Sequence, residues 1–313
     1  MSATPTSARS LTVDVLRGSP RRRRKERTTR VALQACAVFS LVVAIAIILA
    51  LAGQAVRWLN SIDLGWLIAD GWFPRRDEFD VVTILVGTLI VAGIAMIVAA
   101  PLGLGAAVYL SEYAHPRARR TLKPILEVLA GIPSVVLGYF ALTVIQPSIV
   151  QNILGGTGAF SLAAAGIGVG ILTIPLIASV AEDAMFAVPN ALREAAYGIG
   201  ARKRTVATRV VFPAAVSGIV AALILGFSRA IGETMVVAIA AGATGGALRT
   251  FDPLEPGQAM TGAISSLAIG SDQVQGSGFA FDSLYFVGLV LFVITFTLNV
   301  VSERFVRRVR QDL

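Results

Sequence analysis

Arg229 and Glu233 stand inside an otherwise apolar run, Ser228-Arg229-Ala230-Ile231-Gly232-Glu233-Thr234. If that run is helical, their four-residue spacing puts both on one face. Two chemistries suit such a pair. It can be an internal ion pair that holds helices together. Alternatively, the guanidinium meets an anionic solute while the carboxylate orients or partly neutralises it. Ser228 and Thr234 add hydroxyls to the same candidate pathway. The remaining inventory is thin. One cysteine (Cys36) and one histidine (His115) argue against a disulfide framework or a Cys/His metal site. No Gly-x4-Gly-Lys-Ser/Thr loop is present to hold ATP, and no cluster of His, Asp and Glu suggests catalysis. Neither catalytic residues nor a cofactor are expected.

The elements that must carry the pair are apolar. Of 313 residues, 55% are hydrophobic and 15% charged, and the mean hydropathy is +0.75. A soluble domain is nearer about 25% charged, so an ordinary water-soluble enzyme is excluded. A helix needs about 20 apolar residues to cross a roughly 30 Å hydrocarbon core. Six stretches meet that length: 31–52, 81–110, 124–150, 160–180, 214–244 and 284–302. The expected fold is therefore an all-α membrane protein with six transmembrane helices. The basic run Arg21 to Lys25 precedes the first stretch, whose length and lack of a cleavage site predict an uncleaved anchor.

The net charge of +8 is distributed unevenly. Segments 1–30, 111–123, 182–213 and 303–313 hold 9, 4, 5 and 4 Lys and Arg, whereas 53–80, 151–159 and 245–283 hold 3, 0 and 1. This alternation follows the positive-inside rule, so both termini are expected in the cytoplasm of a multi-pass protein of the cell membrane. The basic excess reports topology and lipid contact, with no nucleic-acid partner expected. Residues 1–30 read as a disordered basic tail, 31–302 as the transmembrane domain and 303–313 as a second basic tail.

Pro213 lies 16 residues before Arg229, about 24 Å along a straight helix, which sets the pair between the membrane middle and its outer side. Pro101, Pro133, Pro147 and Pro175 interrupt other spans. Glu127, near the inner end of the third stretch, is expected to snorkel or pair with a nearby Lys or Arg. In the fourth stretch Ala164/Gly168 and Gly166/Gly170 are small-xxx-small pairs that suit close helix packing, although glycine is common in membrane helices in any case.

The loop 182–213 has its own helical pattern. Pro189 suits a first turn, Asn190 to Tyr197 continues it, Gly198 and Gly200 end it, and a second basic helix runs from Arg202 to Val211. Within it, Glu194-Ala195-Ala196, Gly200 and Val210-Val211-Phe212-Pro213 resemble the EAA-x3-G-x9-I-x-L-P loop of binding-protein-dependent ABC importer permeases of the MetI-like type. Val210 and Phe212 are conservative departures. Tyr109-Leu110-Ser111-Glu112-Tyr113-Ala114, the run Leu129 to Leu142, and Arg229-Ala230-Ile231-Gly232-Glu233-Thr234-Met235 resemble phosphate permeases within that family. Met235 and Gly138-Tyr139-Phe140-Ala141-Leu142 are more similar to the PstC-type subunit than to its PstA-type paralogue.

The resemblance implies a phosphate pathway shared with a PstA-type permease, driven by two PstB-type ATPase subunits and fed by an extracytoplasmic PstS-type phosphate-binding protein. It implies that Arg193, Glu194, Ala195, Ala196, Gly200 and Pro213 belong to the ATPase-coupling loop. A small-residue face at Ala195 and Ala196 is expected to dock on the ATPase. Arg229 is the residue expected to help phosphate pass. Two other readings remain open: a permease for sulfate or molybdate, and a secondary transporter working alone, which would need its own coupling-ion site.

Overall fold

The computed structural model describes residues 20–68, 71–242, 246–269 and 278–311. Among these, five helices are long and apolar enough to cross a membrane: Lys25–Leu59, Val81–Tyr113, Ser134–Gln151, Leu162–Phe186 and Ala280–Arg304. A sixth crossing exists if the arms Lys203–Ala214 and Val216–Ile231, 72° apart, count as one.

The chain divides into two compact units, Met1–Ala50 and Leu51–Leu313. The first unit consists of helix from Pro20 onward, the start of α1 (Pro20–Leu59). The expected tail is thus helical over 20–30, while residues 1–19 lie outside the described residues. At the other end α12 (Gly278–Gln311) carries the 303–311 segment as helix.

In the second unit α5 (Leu162–Phe186) is the central post, and it packs along α2 (Val81–Val108). Its glycines explain how closely. A Cβ on Gly166 would strike Ile94, and one on Gly170 would strike Val98 and the carbonyl of Ala95. Gly168 faces the opposite way, against Ala141 and Val236. The small residues therefore serve packing on two sides of one helix.

Two expected spans are corrected. The third was read as 124–150, but Pro116–Leu129 (α3) is a separate helix and the crossing starts at Ser134 (α4, Ser134–Phe140, continued as wider π turns to Gln151). Gly131 and Pro133 cause the break, since proline has no amide to continue the ladder and disfavours helix at Ile132. Glu127 consequently lies on α3, exposed and outside the crossing.

The fifth span was read as one helix over 214–244. After α7 (Lys203–Val206) and a stretch of wider π turns, it bends at Ala215, just beyond Pro213 and the short α8 (Phe212–Ala214). It then runs as α9 (Val216–Ile231), stops, and resumes as α10 (Met235–Ala240). The segment between the fifth and sixth apolar stretches is not all loop, since it contributes α11 (Met260–Ile269). Its Met260, Ala263 and Leu267 are buried among Trp58, Phe79 and Ile84.

That end of the bundle is closed by a small antiparallel sheet, β1 (Gly71–Phe73) between β2 (Glu78–Phe79) and β3 (Ala247–Leu248). Buried Asp80 caps α2 by accepting from the Val82 amide at 3.0 Å and the Thr83 hydroxyl at 2.5 Å. It also takes the Arg249 guanidinium at 2.7 Å, so the sheet, α2 and the 246–259 segment are tied by one carboxylate.

Candidate functional site

The break between α9 and α10 separates the two charges that sequence placed on one helix. Gly232 ends α9, and Glu233 and Thr234 fall between the helices, so Arg229 and Glu233 do not share a helical face. Among the described residues neither side chain makes an ion pair or hydrogen bond. Glu233 is buried at 9% exposure, whereas Arg229 is exposed.

A broken helix leaves backbone carbonyls without partners, and each must be satisfied at membrane depth. Here the Thr261 hydroxyl from α11 donates to the Glu233 carbonyl at 2.7 Å. Ser228 donates to Asn299 of α12 at 3.3 Å, and Thr234 makes only a long local bond to the Gly232 carbonyl. Thus α11 and α12 stabilise the break, and neither Thr261 nor Asn299 was legible as part of it.

Leu225, one turn before Arg229, is exposed as well, and so are Gly232 and Met235 at the break. Nearby, α4 exposes Val135, Val136, Tyr139 and Phe140, while its Gly138 lies against the backbone of Met235 and Val236. A lone guanidinium on so apolar a surface requires an anionic partner, another chain or a wet path. Its planar fork matches the oxygens of a tetrahedral anion.

The basic end is built differently. α6 (Asn190–Gly198) stops at a left-handed glycine: Gly200 has φ +81°, its amide reaches the Tyr197 carbonyl at 2.9 Å, and the Ala201 amide reaches Ala196 at 3.0 Å. This double bond pattern requires a residue that tolerates positive φ, which accounts for glycine there. Leu192, Glu194, Ala195, Tyr197 and Ile199 are exposed.

The expected docking face is corrected at Ala196, which is buried against the bundle with Val206 and Val211. Arg193, one turn earlier on the same side, also points inward and pairs with Glu112 at 2.9 Å. Pro213 is exposed in the first turn of α8.

A second lock joins α3 to α5. Glu182, fully buried, pairs with Arg119 and with Lys123, the latter at 2.7 Å, and Lys123 also reaches Asp183 at 2.5 Å. Burial works against the Lys123 ammonium, but its bonds to Asp183 and Glu182 prevail and hold its pKa above the ordinary lysine value. Arg119 further covers the Phe186 ring, 3.7 Å from its centre. Among the described residues no group of three or more His, Cys, Asp or Glu is placed to hold a metal.

With this geometry in view, residues 99–313 match the family described as "Binding-protein-dependent transport system inner membrane component". The chain is 32% identical over 282 residues to a probable ABC transporter permease protein of Bacillus subtilis, covering 85% of this chain and 86% of that one. It is 32% identical to the phosphate transport system permease protein PstC of Haemophilus influenzae, with 89% and 93% covered. It is 34% identical to PstC 1 of Mycobacterium tuberculosis, with 75% of each covered. Among solved structures, a bacterial ABC transporter for alginate import aligns with a TM-score of 0.62 at 17% identity, over 91% of this chain and 99% of that one. The MetNI methionine transporter aligns at 0.51 and 19%, over 79% and 99%. These two likenesses concern the fold.

Proposed function

Since the chain belongs to the family of binding-protein-dependent transport system inner membrane components, we propose that it is the membrane-spanning permease subunit of an ATP-driven phosphate importer. The observation that carries the choice of solute is the likeness, over three quarters or more of the chain, to relatives named as phosphate permeases. The site geometry supports it. Phosphate carries one to two negative charges near neutral pH, and Arg229 offers a guanidinium that is unpaired among the described residues, exposed beside a helix break. Ser228, Glu233 and Thr234 border the same passage. A tight site would oppose release, so the contact with Arg229 is transient.

In this reading the basic end, with both termini, faces the cytoplasm, where the excess of Lys and Arg belongs. A PstA-type permease covers the exposed faces of α4, α9 and α10 and completes the pathway. Two PstB-type ATPases hydrolyse the ATP and dock on α6 through its exposed side, Leu192, Glu194, Ala195 and Ile199. A PstS-type protein delivers phosphate at the sheet-bearing end.

The same guanidinium suits sulfate or molybdate, so the decisive experiment identifies the anion. Co-purifying the complex with its extracytoplasmic binding protein and titrating that protein with each anion should give phosphate binding that neither sulfate nor molybdate displaces. Binding of sulfate or molybdate without phosphate overturns the assignment.

A further inference from the structure

Arg193 uses all five of its N–H donors. Its Nε and Nη2 reach Glu112 Oε1 at 3.3 and 2.9 Å, and Nη2 also reaches the Met185 carbonyl at 2.8 Å. Its Nη1 reaches the Val188 carbonyl at 2.6 Å and Asn190 Oδ1 at 3.4 Å. The two side chains are 14% and 5% exposed, so the bonds between Arg193 and Glu112 are shielded from water.

The partners belong to different elements. Glu112 sits in the wide π turn that ends α2, Met185 lies in the last turn of α5, Val188 just beyond it, and Asn190 begins α6. A cation at the end of α5 satisfies carbonyls that the helix cannot bond itself and complements its dipole. Ser111 donates to the same Glu112 oxygen at 3.0 Å, which fixes the carboxylate. One planar guanidinium therefore fastens α6 to two long helices at once, and Ala196 is buried in the same apolar cluster as Met185 and Val188.

We propose that Arg193 and Glu112 are a positioning pair that makes α6 move as one body with the ends of α2 and α5, so that displacement of α6 reaches the membrane helices. Neither touches solute. The inference rests on the reading of α6 as the element that docks on the ATPase. Lysine cannot replace Arg193, because three donors on one nitrogen cannot make the five bonds that the planar fork spreads over Glu112, two carbonyls and Asn190.

The test uses the complete transporter in proteoliposomes, reading ATP hydrolysed per phosphate accumulated after assembly has been checked by co-purification. Glu112→Gln and Arg193→Gln should each raise that ratio by about 2- to 30-fold, the size of coupling changes that such networks carry. The double variant should be no worse than Arg193→Gln alone, since both remove one link. Arg193→Lys should also raise the ratio although the charge is kept.

An unchanged ratio in assembled Glu112→Gln overturns the pair, as do single effects that multiply in the double variant or full recovery with lysine. If Arg193→Gln does not assemble, Glu112→Gln decides alone. Ala195→Trp separates this from failure of the docking reading: it alters the exposed side of α6 and should weaken ATPase association without touching the pair. Unchanged association there contradicts the docking reading itself.

Discussion

The basic end of the molecule and the α9–α10 break treat their charges in opposite ways. At the basic end the buried carboxylates Glu112 and Glu182 are each matched by cations from another helix. At the α9–α10 break Arg229 and Glu233 stand without such partners among the described residues, while the Glu233 carbonyl is satisfied by Thr261. Paired charges position helices, because a buried ion pair costs as much to desolvate as it returns but is expensive to half-remove. Uncommitted charge in an apolar surface is kept for something the chain does not itself contain. Under the proposed function, the contrast separates residues that hold the machine from those that handle its cargo.

The contrast breaks or sharpens under substitution. The largest effect on stability is expected when Arg119 and Lys123 are both replaced by methionine, which strands the Glu182 carboxylate. About 3–5 kcal/mol should be lost, seen as a lower unfolding midpoint of the detergent-solubilised permease. Arg229→Gln should leave that midpoint within about 0.5 kcal/mol of wild type, as for a site outside any packed network. Its effect should fall on transport instead. Loss of a charged hydrogen bond, about 1.5–3 kcal/mol, corresponds to roughly 10- to 100-fold slower phosphate uptake by an assembled complex. Normal uptake removes Arg229 from the pathway.

Smaller effects follow at the basic end. Gly200→Ala forces a Cβ into left-handed backbone and should cost about 1 kcal/mol, read as a lower unfolding midpoint and weaker ATPase association. The smallest is a pH effect. Because the pKa of Lys123 is raised in the fold, its contribution is fully present below the ordinary lysine value of about 10.4 and is lost as pH rises through the higher folded value. The midpoint difference between wild type and Lys123→Met should therefore hold constant from pH 7 to 9 and shrink only in strongly alkaline solution.

Much of this architecture is legible in the sequence because lipid imposes a length and an apolar composition on every crossing. Gly166, Gly168 and Gly170 announced close packing and are found in it. Breaks are less legible, since hydropathy does not register the hydrogen-bond ladder: Pro133 and Gly232 lie within apolar stretches and Pro213 at the edge of one, and what they interrupt is that ladder. On α6 the expected docking face fails at Ala196, which faces the bundle. Arg193 and Ala196 are three residues apart and share a face, so the period contained the answer, and Glu112 was available as the unmatched acid. Likewise the 3- and 4-residue spacing of Met260, Ala263 and Leu267 marked a buried helix. The support that Thr261 and Asn299 give the break had no local signal, because those contacts join segments 28 and 71 residues apart.

The central claim is that this subunit lines an ATP-driven path for phosphate. It is tested most directly by reconstituting the complete transporter with its binding protein in proteoliposomes and following labelled phosphate, sulfate and molybdate with and without ATP. The account predicts ATP-dependent accumulation of phosphate alone. Accumulation of sulfate or molybdate in place of phosphate, or phosphate uptake that needs no ATPase, contradicts it.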